Sequence, residues 1–209
     1  MKKLLSLVLA LLLALSFAGC SGSTAMTEKN VTATVDSAFD ALKHFDTKKL
    51  EKYVDSKTLS VIITYANKHD QFADLGKALF KNLEYSIESI DLDAKTVTVS
   101  VRNKDLKDTA SAFTKALVSK YSALQMLSLL NNETWLNTSL KSLTDSIAIA
   151  KMQSAPVSVT LTVTAGKKNL MLGFDDTAEN AVSGGALQAV KSLTSGLTGS
   201  KSTTESTSN

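Results

Sequence analysis

From Val157 to Thr164 an aliphatic residue alternates with serine or threonine at every position, and Thr96 to Val101 repeats the pattern. Successive side chains of a strand point to opposite faces, so each run reads as a β-strand with one buried and one wet face. Wound as a helix, the same residues would scatter around the axis. A chain carrying two such strands must cover their apolar faces with something else. Here the covering segments have helical spacing.

Val31, Val35, Ala38, Phe39, Leu42 and Phe45 recur at three- and four-residue intervals, which predicts a first amphipathic helix. Asp46 has the chemistry of an N-cap for a short second helix with Leu50, Tyr53 and Val54 on one side. Leu59, Ile62, Ile63 and Ala66 predict a third helix. After His69 and Asp70, a fourth carries Phe72, Leu75, Leu79 and Phe80.

At Leu83 the period becomes two, through Tyr85 and Ile87, then changes parity at Ile90 and Leu92; a bulge near Ser89 accounts for the slip. Asp93 to Lys95 predicts the hairpin turn into the strand from Thr96. Asp105 or Asn103 starts a long helix through Leu106, Phe113, Leu117 and Leu127, and a second helix runs from Trp135 to Ile147. Together they form an inserted helical hairpin over 106–150. Its leucine stripe, Leu124 to Leu143, either packs inward or serves a partner.

Beyond the strand from Val157, the residues Leu170, Leu172 and Phe174 predict a fourth strand, and Asp175 to Thr177 cap a last helix from Ala178 to about Leu193. Gly184 and Gly185 inside that helix mark a break or a close approach. The expectation is an α+β domain over 30–193, with an antiparallel sheet of about four strands packed on N-terminal helices.

The N-terminus carries an address. Lys2 and Lys3 precede an apolar stretch, Leu4 to Phe17, of 14 residues. As a helix it would span about 21 Å, short of the roughly 30 Å hydrocarbon core, which fits a secretory signal over 1–19 rather than a permanent span. The string Phe17-Ala18-Gly19-Cys20 resembles the bacterial lipobox. That resemblance implies diacylglyceryl transfer to Cys20, cleavage before it, and an extracytoplasmic protein held on the outer face of the cell membrane, or in the envelope of a two-membrane bacterium. Residues 20–29 then form a tether, and the Ser/Thr-rich stretch 194–209 a disordered tail.

Without Lys2 and Lys3 the 23 basic residues become 21, against 20 acidic. Such a near-neutral chain has no field for nucleic acid. One cysteine and two histidines leave too few ligands for a disulfide framework, a zinc finger or an iron–sulfur cluster. No Gly-x-Ser-x-Gly elbow or phosphate-binding glycine loop is present, and the pairs Asp91/Asp93 and Asp175/Asp176 fit turns and caps better than a calcium loop. No cofactor or metal is expected. His69 beside Asp70 could form a dyad, but the polar Asn67–Gln71 segment reads as an exposed loop; His44 reads as a half-buried residue at a helix end.

The order of elements and several strings are similar to the NTF2-like (cystatin-like, cone-shaped) domains of bacterial lipoproteins of unknown function. The strings are His44-Phe45-Asp46 before Leu50-Glu51-Lys52-Tyr53-Val54, the run Thr96 to Leu106, and Asn180 to Gly185. The resemblance implies a strongly curved sheet wrapped on helices, with a cone between them that can hold a ligand. Tyr53, Tyr65, Tyr85, Trp135 and His44 are candidates to line it, each with one polar handle. A non-catalytic module for a small ligand or another envelope component is the expected function. The alternatives are an NTF2-like hydrolase or isomerase using cone residues, and a structural protein that dimerises through its sheet.

Overall fold

A computed structural model describes residues 24–189 of the chain. The signal segment 1–19, Cys20, and the tail 194–209 lie outside the described residues. The first helix, α1 (Glu28–His44), begins inside the expected tether: Thr27 caps it by accepting from Asn30 N at 3.2 Å, and Met26 packs on the core. It ends at Phe45, whose φ of 49° is left-handed; the ring is buried and stacks 6.2 Å from Phe80. Asp46 then caps α2 (Thr47–Tyr53), accepting from Lys49 N at 3.1 Å.

The expected four-stranded antiparallel sheet is a mixed sheet of five strands in the order β1-β5-β4-β3-β2. The added strand, β1 (Val54–Asp55), pairs parallel with β5 (Leu170–Gly173), and Phe174 N donates to Asp55 O at 2.9 Å. Two residues have no period of their own, and in sequence Val54 reads as the end of α2. The other pairs, β2 (Glu84–Asp91) with β3 (Thr96–Arg102), β3 with β4 (Val157–Ala165), and β4 with β5, are antiparallel. The register of β2 shifts between Ile87 and Ser89, which is the bulge the parity change required.

Val97, Val99 and Val101 are fully enclosed, as is Leu161 opposite Val97. Each such side chain contributes about 1.5–3 kcal/mol by leaving water. Helix α1 crosses this face, with Phe39 stacked 4.4 Å from Tyr85. The outer face carries hydroxyls, Thr98 Oγ1 lying 3.2 Å from Thr160 Oγ1. Helices α3 (Lys57–Ala66) and α4 (Asp70–Phe80) follow β1; α4 packs on α1, and α3 packs on α4.

The insertion is three helices rather than a hairpin of two: α5 (Lys107–Lys120), α6 (Ala123–Leu129) and α7 (Glu133–Ile149). Ser122 and Gln125 form a capping box that restarts the chain and divides the expected long helix. Asn103 does not cap α5. It is buried, and its Nδ2 donates to Leu79 O at 3.0 Å and Val182 O at 2.7 Å. The two ends of the insertion are joined where Lys104 Nζ donates to Ile147 O at 2.9 Å and Asp105 N to Lys151 O at 2.8 Å. The last helix, α8 (Asp176–Val182), is capped by Asp175 and breaks at Gly184 and Gly185; its expected end near Leu193 lies outside the described residues.

Candidate functional site

Between the insertion and the N-terminal helices lies a cavity of about 360 Å³, within the size range of small-molecule sites. Leu59 and Ile62 of α3 and Leu75 and Leu79 of α4 line one side. Ala110, Phe113 and Thr114 of α5, with Leu143 and Ile147 of α7, line the other, and Phe174 and Val182 close it beside the sheet. These are the positions where the apolar stripes of separate helices converge without filling the space between them.

One carboxyl group belongs to this wall. Glu179, on α8, is 9% exposed, and the Ser56 hydroxyl donates to its Oε1. Ser56 is also the N-cap of α3 and accepts from Leu59 N at 3.0 Å. Its single proton is therefore directed at Glu179, while its lone pair serves the helix. The second oxygen, Glu179 Oε2, is enclosed and has no hydrogen-bond partner among the described residues. Chemically this is an apolar chamber with one acceptor to spare.

The residues anticipated for a pocket do not line this cavity. Tyr85 stacks on Phe39 and donates to Asp36 Oδ1 at 2.9 Å; burial first, then that bond and the Asp36 charge, push its phenol far above the ordinary range. Tyr53 packs partly buried against the core. Trp135 meets Tyr121 edge-on at 6.4 Å, and Tyr65 lies 5.3 Å from Phe72. His44 is not half-buried: its side chain is 71% exposed, paired with Asp40 one turn earlier.

His69 turns away from Asp70. Its ring Nδ1 lies 2.8 Å from Glu133 Oε1 of α7, and Gln71 Nε2 donates to Glu133 Oε2 at 3.0 Å and to Asn137 Oδ1 at 2.6 Å. The expected loop is thus half of a polar seam between α4 and α7. Within it the hydrogen bond from His69, followed by that from Gln71, holds the Glu133 carboxyl below its usual range. Among the described residues no cluster of His, Cys, Asp or Glu could hold a metal ion, and no helix is long and apolar enough to cross a membrane.

Two site residues escaped the sequence reading. Glu179 shares the helical phase of Val182 and Ala186, and a carboxylate on an apolar stripe was its signal. Ser56 preceding the stripe of α3 was a capping signal whose partner lies 123 residues away. Comparison with protein-family models, curated proteins and solved structures gives no match, so the function rests on this geometry.

Proposed function

We propose that this chain is a lipid-anchored envelope protein that binds an apolar small molecule in the cavity between the insertion and the N-terminal helices, without catalysing a reaction on it. The observation that carries the reading is the chamber itself: about 360 Å³ walled by aliphatic and aromatic side chains. Well-packed interiors leave few voids larger than a water molecule, so space of this kind among leucines is a feature a ligand can fill. In this reading the sheet and helices form an NTF2-like cone, and the insertion makes its lid.

The enzymatic alternative draws less support, because Tyr53, Tyr85, His44 and His69 are all outside the cavity wall and Ser56 is occupied as a helix cap. Dimerisation through the sheet is disfavoured by its hydroxyl-bearing outer face, which gains little by leaving water. Anchoring through Cys20 follows from the lipobox-like string alone.

The test is binding of an environment-sensitive apolar fluorophore to the full chain and to Ala110→Trp. Ala110 is 8% exposed and lines the chamber, so an indole there occupies it. The variant should bind at least about tenfold more weakly while keeping a cooperative thermal transition. Equal binding by both proteins refutes the reading.

A further inference from the structure

Among the described residues only two enclosed side-chain polar atoms lack a partner, Gln71 Oε1 and Glu179 Oε2. Gln71 belongs to the seam between α4 and α7, where its amide nitrogen already donates to Glu133 and Asn137. Glu179 belongs to the cavity wall. An enclosed carboxylate oxygen without a donor is costly, and groups of this kind call for an explanation.

No described group donates to Oε2. The Ser56 hydroxyl is spent on Oε1 and the Leu59 N–H on Ser56. None of the ion pairs among the described residues includes Glu179. The charge of Glu179 is therefore answered by one hydroxyl and by its position at the N-terminus of α3, a 10-residue helix. What is missing is a cation that can also donate a hydrogen bond.

We infer that the ligand of this cavity is an amphiphilic amine: an apolar chain held between α3, α4, α5 and α7, ending in a protonated nitrogen that donates to Glu179 Oε2. The inference rests on the binding function proposed above. Three head groups can be ranked by charge. An alcohol supplies the donor but leaves the carboxylate uncompensated, a carboxylate head sets two like charges together, and an amine supplies donor and counter-charge at once. Because Oε2 is closed off from water, the amine reaches it only with its chain in the chamber and a rotation of the Glu179 side chain. The pair then forms where water screens it least.

Displacement of the apolar fluorophore from the full chain by dodecylamine, dodecanol and dodecanoate tests this. Dodecylamine should displace it at a concentration lower by about tenfold or more than either of the others, and Glu179→Gln should abolish that preference. Equal displacement by all three, a preference for dodecanoate, or an amine preference that survives in Glu179→Gln overturns the head-group assignment and leaves the cavity reading intact. Failure of the fluorophore and of all three ligands to bind overturns the cavity reading and the assignment with it. Should Glu179→Gln fail to fold, the ranking on the unaltered protein decides.

Discussion

Gly184 combines a left-handed backbone with a contact that leaves no room for a side chain. Its φ is +62°, and its carbonyl accepts from Leu106 N at 2.8 Å, so the chain leaving α8 lies directly against the start of the insertion. A Cβ on Gly184 would collide with the Lys104 carbonyl oxygen, a backbone atom that cannot swing aside, whereas one on Gly185 would meet the Lys107 side chain at 3.3 Å. The left-handed conformation penalises alanine at both positions by roughly 1–2 kcal/mol, and the collision adds to it only at Gly184. Gly184→Ala should therefore lower stability in urea by about 3 kcal/mol, clearly more than Gly185→Ala. Equal losses would show that the close approach is unimportant.

The three inserted helices are held at two places of different chemistry. Their ends are joined to each other by backbone bonds and by Lys104, which meets the C-terminus of α7, a favourable position for a cation. Their far side is latched to α4 by His69 and Gln71 on Glu133 and Asn137. Since the folded state holds the Glu133 carboxyl below its ordinary value, the latch contributes fully above the usual glutamate range and is lost as pH falls through the depressed folded value. Amide protection in α7 should accordingly hold from neutral pH down to the usual glutamate range and fall below that range before that of β3 and β4 does. Glu133→Ala should reproduce the loss at neutral pH. Protection factors that fall together in all three elements would mean the latch does not govern the insertion.

At the scale of the whole molecule, the proposed lipid anchor at Cys20 and the proposed binding cavity can be tested apart, since Cys20 lies seven positions before Thr27, the cap of the first described helix. Two or three acyl chains, at roughly 0.8 kcal/mol per buried methylene, would hold the protein at a membrane without any contribution from its surface. Cys20→Ser should leave a precursor that is uncleaved or released, with no acyl mass on its N-terminus, and with fluorophore binding unchanged. A variant that still matures and stays on the membrane would refute lipid anchoring.

Periodicity alone determined the α+β class and most of the elements, because the spacing of apolar residues reports which face of a segment leaves water. The valine alternations of β3 and β4, the parity slip of the β2 bulge and the caps at Asp46 and Asp175 were all legible as local chemistry. The restart at Ser122 was also written there, in a Ser-x-x-Gln capping box. Tertiary structure alone decided what has no local signature. The two-residue strand β1 exists only because β5 offers it a partner, and His69 found Glu133 rather than its chain neighbour Asp70. Tyr53 and Tyr85 occupy apolar phases as expected, but an apolar phase says only that a side chain is covered, and they are covered by packing rather than by the cavity. The chamber is the gap left where stripes from α3, α4, α5 and α7 fail to interdigitate, and its acceptor joins residues 123 positions apart. Such a gap is a property of how helices are placed, which no single stretch of sequence encodes.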